Sequence, residues 1–164
     1  MAVFSRYKSA VGAGTLAAFL LVLIFGSPWY ADWASKNTDR NTAGGWFLQL
    51  LAWPRWSFNG ESSVQDLIAA DLKAIFLVLL TALFLYMLPG SQLARARGTL
   101  SQFFAGWASY IFAGGFAALL TTLIRSNPSL LGAFEMAGNG AAYGLFTGWI
   151  VGLAALGGWR GTRR

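Results

Sequence analysis

Gly140-Ala-Ala-Tyr-Gly144-Leu-Phe-Thr-Gly148-Trp-Ile-Val-Gly152 is the stretch whose reading decides the fold. Glycine recurs at every fourth position, inside a segment without charge from Met136 to Trp159. In water this would be a poor helix, because each interior glycine costs ~0.5–1 kcal/mol relative to alanine. In hydrocarbon every backbone polar group needs an internal partner, so the helix is enforced. The glycines then form a shallow groove that lets another helix come close, a glycine-zipper pattern. The flanking rows, Leu145, Trp149 and Leu153 beside Phe146 and Ile150, are bulky.

Working outward, the third apolar segment carries a complementary row. Ala105, Ser109, Ala113, Ala117 and Thr121 follow at spacing four, with a second small row at Gly106, Gly114, Ala118 and Thr122 interrupted by Tyr110. The first segment has its own short row, Ala10, Gly14 and Ala18. The second is leucine-rich, opens with Asp71 and Lys73, and is expected to stop at Pro89-Gly90. Ser63 with Asp66 three residues on is a variant of the capping box before it. The expected architecture is an all-α membrane protein: a four-helix transmembrane bundle with spans of about 10–27, 67–88, 103–124 and 133–157, and a short interfacial helix in the first outer loop, 28–66. All 164 residues form one domain. The basic start and apolar middle of residues 1–26 resemble a signal peptide, but no small-x-small site follows, so this segment is expected to stay as an uncleaved span.

Composition agrees with that class. The chain is 56% hydrophobic and 11% charged, where soluble domains carry about 25% charge. It has no cysteine and no histidine. Thiolate metal centres and disulfides are therefore excluded, and the commonest metal ligand and general base is missing. No cofactor is expected.

The outer segment holds Trp46-Phe-Leu-Gln-Leu-Leu-Ala-Trp53-Pro54-Arg55-Trp56 after a Gly44-Gly45 break. It is too short to span, since about 20 apolar residues are needed. Two readings stay open: a helix lying in the membrane interface with Trp46, Trp53 and Trp56 as anchors, or a plug packed on the chain's own helix ends. Trp29, Tyr30 and Trp33 read as a further interfacial belt.

Charge sets the expected orientation. With four spans, Arg6, Lys8, Arg95, Arg97, Arg160, Arg163 and Arg164 share one side with no acid, while the other side holds five basic and all six acidic residues. Lys and Arg accumulate on the cytoplasmic side, so both termini are expected in the cytoplasm, with the protein multi-pass in the plasma membrane. The arginine-, alanine- and glycine-rich composition points to a bacterial source. The net charge of +6 reads as a preference for anionic lipid rather than nucleic acid.

Function is expected to lie in association rather than chemistry. The helix-packing surface comprises Gly140, Gly144, Gly148 and Gly152 with Ala105, Ser109, Ala113 and Ala117, used within the chain, toward another membrane protein, or for self-association. Glu135, Asp71 and Lys73 are candidates for an ion site, although each lies near a helix end where charge reaches water. The loop carboxylates Asp32, Asp39, Glu61 and Asp66 stand in no spacing that demands catalysis, and no nucleophile, phosphate-loop or metal motif is present. The expected function is a non-enzymatic small membrane protein, either an accessory subunit of a larger complex or a homo-oligomer. The alternative is a small channel or transporter for ions or small solutes that uses Glu135 with Ser109, Thr121 or Thr147.

Overall fold

The computed structural model of the chain describes residues 2–56, 64–90, 99–124 and 129–161. Six α-helices make up the described fold: α1 (Ala2–Phe25), α2 (Pro28–Asn37), α3 (Ala43–Leu51), α4 (Val64–Gly90), α5 (Thr99–Ile124) and α6 (Leu130–Gly161). The spans Leu67–Leu88, Leu100–Ile124 and Leu130–Arg160 are each long and apolar enough to cross a membrane. Ser9–Phe25 and Pro28–Asn37 together give a fourth, bent by 61° at their junction.

The bend follows from local chemistry. Gly26 closes α1 by donating its N–H to the Val22 carbonyl at 3.0 Å. The Ser27 hydroxyl then caps α2 by accepting from the Tyr30 N–H at 3.2 Å, and Pro28 opens the new helix, where its missing N–H costs nothing. The first candidate span is therefore bent rather than the single straight helix expected at 10–27, and residues 28–37 of the expected loop are helical. Gly44 and Gly45, expected as a break, lie in the first turn of α3, behind the N-cap Thr42. Gly45 suits that place because a Cβ there would run into the Asp39 carbonyl.

Helices α5 and α6 form the most extensive pair, α4 packs on α5, and α1 lies against both α6 and α4. The core runs between them through Ala18, Leu21, Val22, Leu77, Leu85, Ala113, Ala117 and Val151. Leu16, Phe19, Leu79, Leu83, Phe112, Phe116 and Leu153 face outward. An apolar exterior of this kind suits lipid.

Contacts fix which residues share a level. At the tail end, the Ser9 hydroxyl donates to the Gly158 carbonyl, and Gly14 lies against Leu85 and Ala155. Midway, Gly144 meets Tyr110 and Ile111. Phe25 and Gly26 reach only that middle level, where Trp56 and Pro54 meet the end of α1. Beyond it α5 and α6 continue for roughly 20 Å, at 1.5 Å per residue. The tail half is thus built from four helices and the loop half from three.

Candidate functional site

Every small-residue row read from the sequence is used inside the chain. A Cβ on Gly144 would stand 2.6 Å from Ile111 Cα, one on Gly148 2.9 Å from Trp107 Cδ1, and one on Gly152 2.7 Å from the Phe103 carbonyl. Gly140 lies against Gly114 and Ala118. The glycine row therefore receives α5 through Phe103, Trp107, Ile111 and the row containing Gly106, Gly114 and Ala118. The other row, Ala105, Ser109, Ala113 and Ala117, is also buried, with Ala113 and Ala117 in the central core beside Ala74 and Leu77 of α4. Trp107 Nε1 donates to the Leu145 carbonyl at 2.9 Å, tying the edges of the α5–α6 pair.

The hydroxyls proposed for a polar path lie in the bundle but are turned to the backbone. Ser109 donates to the Ala105 carbonyl (2.7 Å), Thr121 to Ala117 (2.8 Å) and Thr147 to Tyr143 (2.7 Å). Such i−4 bonds satisfy a buried hydroxyl within its own helix. Glu135 stands apart from them, exposed on α6. At the centre Tyr110 and Tyr143, both fully buried, join their hydroxyls at 3.0 Å. Neither tyrosine was singled out as a site from the sequence. In the sequence Tyr110 shows only as the interruption of the Gly106–Gly114 row, and Tyr143 as a residue inside the glycine-row segment.

The tryptophan segment packs at mid-height, on the end of α1 and the middle of α6. Trp53 stacks on Tyr143 with ring centroids 4.8 Å apart. Pro54 is fully buried, and Trp56 Nε1 donates to the Val22 carbonyl at 3.2 Å. Trp46 meets Phe146 edge-on at 4.9 Å. Helices α2 and α3 hold this segment as a hairpin with a small core of Tyr30, Ala34 and Leu51. The Tyr30 hydroxyl donates to the Leu48 carbonyl at 3.0 Å, and Gln49 Nε2 donates to the Thr38 carbonyl at 3.1 Å. Tyr30, read as part of an interfacial belt, is thus an interior residue. Trp29 remains exposed.

Lys73 converges on the same turn. Its Nζ donates to the Trp53 carbonyl at 2.9 Å and sits 4.8 Å from the Trp53 ring centroid. Beside it α4, α5 and α6 line a half-open cleft of about 70 Å³. Its walls are small (Ala69, Ala70, Ala118), with Thr121, Thr122 and Met136 at the α5 and α6 sides and Trp53 with Lys73 completing the lining. Asp71 and Glu135, grouped with Lys73 from the sequence, are not among the lining residues.

The loop acids have structural partners. Asp32 pairs with Arg55 at 3.5 Å, and Asp39 Oδ1 accepts from the Asn41 N–H at 2.9 Å. Glu61, Ser63 and the Asp66 side chain lie outside the described residues, as do Arg95, Arg97, Arg125, Arg163, Arg164 and the side chains of Arg6 and Lys8. Among the described residues no three carboxylates are grouped as metal ligands.

A different notch is left open. Phe134, Gly138, Ala142 and Phe146 follow each other at spacing four on α6, all exposed. A Cβ on Gly138 would have nothing within 4 Å. The two small residues form a floor between two phenylalanines, the second buttressed by Trp46, with Glu135 and Asn139 exposed beside it. Neither Gly138 nor Ala142 belongs to the glycine row. Comparison with known proteins finds no match: no family model, no curated protein and no solved structure matches the chain.

Proposed function

We propose that the chain is a non-enzymatic, four-span protein of the plasma membrane, both termini cytoplasmic, that acts by lateral association with another transmembrane helix. The helix belongs either to a larger complex or to a second copy. The observation carrying this reading is the Gly138–Ala142 notch. Association in lipid depends on close backbone approach at small residues and on interhelical hydrogen bonds. The notch supplies the first, and Glu135 and Asn139 supply polar side chains beside it. Conduction has less support, because the buried hydroxyls are bonded to their own helices.

Gly138→Leu adds bulk to the notch from a Cβ position that has nothing within 4 Å. It is expected to leave thermal stability within about 0.5 kcal/mol while removing a co-purifying partner, or reducing an oligomer to monomer, in mild detergent. An unchanged assembly would overturn the reading. The orientation rests on the seven-to-none charge split. A reporter active only outside the cytoplasm should stay silent when fused after Arg164.

A further inference from the structure

The α2–α3 hairpin begins at the same height as the middle of α6, and two routes fix that height. Helices α1 and α6 are antiparallel, with Ser9 at Gly158 and Gly14 at Ala155, and equal steps along both bring Gly26 level with Tyr143. The tryptophan turn gives the same level. Trp53 stacks on Tyr143, and the Trp56 N–H donates to the Gly26 carbonyl at 3.0 Å. From there the hairpin gains little height. Trp46 at the start of α3 meets Phe146, while Trp53 just past its end meets Tyr143, so α3 lies across α6 rather than along it. Helix α2, bent 61° from α1, rises only roughly 7 Å over its length, whereas α5 and α6 continue for roughly 20 Å.

The two regions call for opposite surroundings. On the hairpin, the ion-paired side chains of Asp32 and Arg55 are 58% and 50% exposed. Lys36, Asp39 and Arg40 are exposed toward its tip. Such charges are expensive in hydrocarbon. Farther from the tail, α5 and α6 end in Leu120, Leu123, Ile124, Leu130 and Leu131, all exposed, a surface expensive in water. Glu135 and Asn139 are the polar exceptions, and they fit the pattern. They precede Phe146 at spacings of eleven and seven, which returns them to the face that carries Trp46, above the hairpin.

A boundary perpendicular to the helices satisfies one region or the other. Both are satisfied by a boundary that meets the bundle lower beside α1 than beside α5. Helix lengths agree. Ser9–Phe25 measures roughly 25 Å and Leu100–Ile124 roughly 37 Å, on either side of the ~30 Å of a hydrocarbon core. Local thinning and tilt both accommodate such a mismatch. Trp29 and Trp33, exposed on α2, suit the headgroup level. We propose, on the membrane reading above but independently of the Gly138–Ala142 notch, that the α2–α3 hairpin is a headgroup-binding surface. It seats phospholipid headgroups of the loop-side leaflet beside the end of α1, level with the middle of α6.

The chain has no cysteine, so a single introduced cysteine reports one position. Ser35→Cys on α2 and Leu120→Cys on α5 both replace exposed side chains. Each variant is spin-labelled and reconstituted at full length in vesicles of phosphatidylcholine and phosphatidylglycerol. Relaxation by oxygen, which concentrates in hydrocarbon, is compared with relaxation by a nickel chelate, either free in water or carried on a lipid headgroup. Both forms of nickel should dominate at Ser35, and oxygen at Leu120, although Leu120 lies farther from the tail end. Oxygen dominating at both positions would place the hairpin in hydrocarbon, and nickel at both would lift the bundle end into water; either overturns the proposal. Nickel reaching Ser35 from water but not from headgroups would mark an aqueous vestibule and overturn it as well. A Ser35 label shielded from every agent would mean that a second copy covers the hairpin, with the same consequence. Gly138→Leu is read by assembly state and these labels by relaxation, so failure of the notch and failure of the hairpin surface are separate results.

Discussion

In the tail half, Gly14 lies against the Leu85 side chain and Ala155, and Gly106 meets Gly152 nearly backbone to backbone. In the loop half, α1 has turned away, and its place beside the other helices is taken by a turn carrying Trp53, Pro54 and Trp56. Both halves bury apolar surface. The α5–α6 seam runs through both halves on small residues, with Gly114 against Gly140 on the loop side, and the loop half adds the large side chains of the tryptophan turn where α1 is missing. Where glycine meets glycine, as at Gly106–Gly152, packing tolerates no added volume, because the nearest atoms are backbone. A tryptophan turn is a looser closure that leaves room for a cavity.

The sharpest way to break this contrast is to add bulk to the glycine seam and to remove it from the tryptophan turn. Gly144→Leu drives a side chain into Ile111 Cα and the Tyr110 carbonyl. It should cost about 3 kcal/mol or more, seen as loss of monodisperse protein or a steep fall in thermal midpoint. Tolerance of that leucine would mean that the α5–α6 seam is not close-packed. Trp53→Ala removes the stack on Tyr143 and the ring beneath Lys73. A loss of about 2–3 kcal/mol is expected, below the cost for a fully buried tryptophan because Trp53 is half-buried. Fluorescence-monitored thermal melts compare the two directly.

The tyrosine pair marks the boundary between the halves. Tyr143→Phe leaves the Tyr110 hydroxyl buried without its 3.0 Å partner and should cost about 1–3 kcal/mol. The double change to phenylalanine at 110 and 143 should recover much of that loss, since no orphan remains. A double-mutant cycle in detergent reads the difference. The smallest effect belongs to the surface. Asp32→Asn breaks an ion pair whose side chains are 58% and 50% exposed, so the thermal midpoint should shift by the equivalent of less than about 0.5 kcal/mol.

Much of the loop half was hidden in the sequence. Trp46, Trp53 and Trp56 were legible as a special segment, but an interfacial helix and a plug have the same amphipathic composition, and only packing separates them. Lys73 was visible as a charge at a helix start. Its partner, the Trp53 carbonyl, is a backbone group that no side-chain pattern advertises. Gly138 and Ala142 escaped notice because the neighbouring glycine row is longer. Spacing reports which residues share a face, while exposure depends on which face the partner helix takes.

By itself the sequence determined that the chain is helical, apolar enough for several membrane crossings, and built around small-residue rows. These are local properties: hydropathy over a span length, and periodicity along one helix. Only the tertiary structure decided that α1 stops at mid-height, that the glycine row is filled by α5, and that Trp53, Lys73 and Tyr143 meet. Each of these depends on relative helix position, which arises from contacts between residues far apart in the chain.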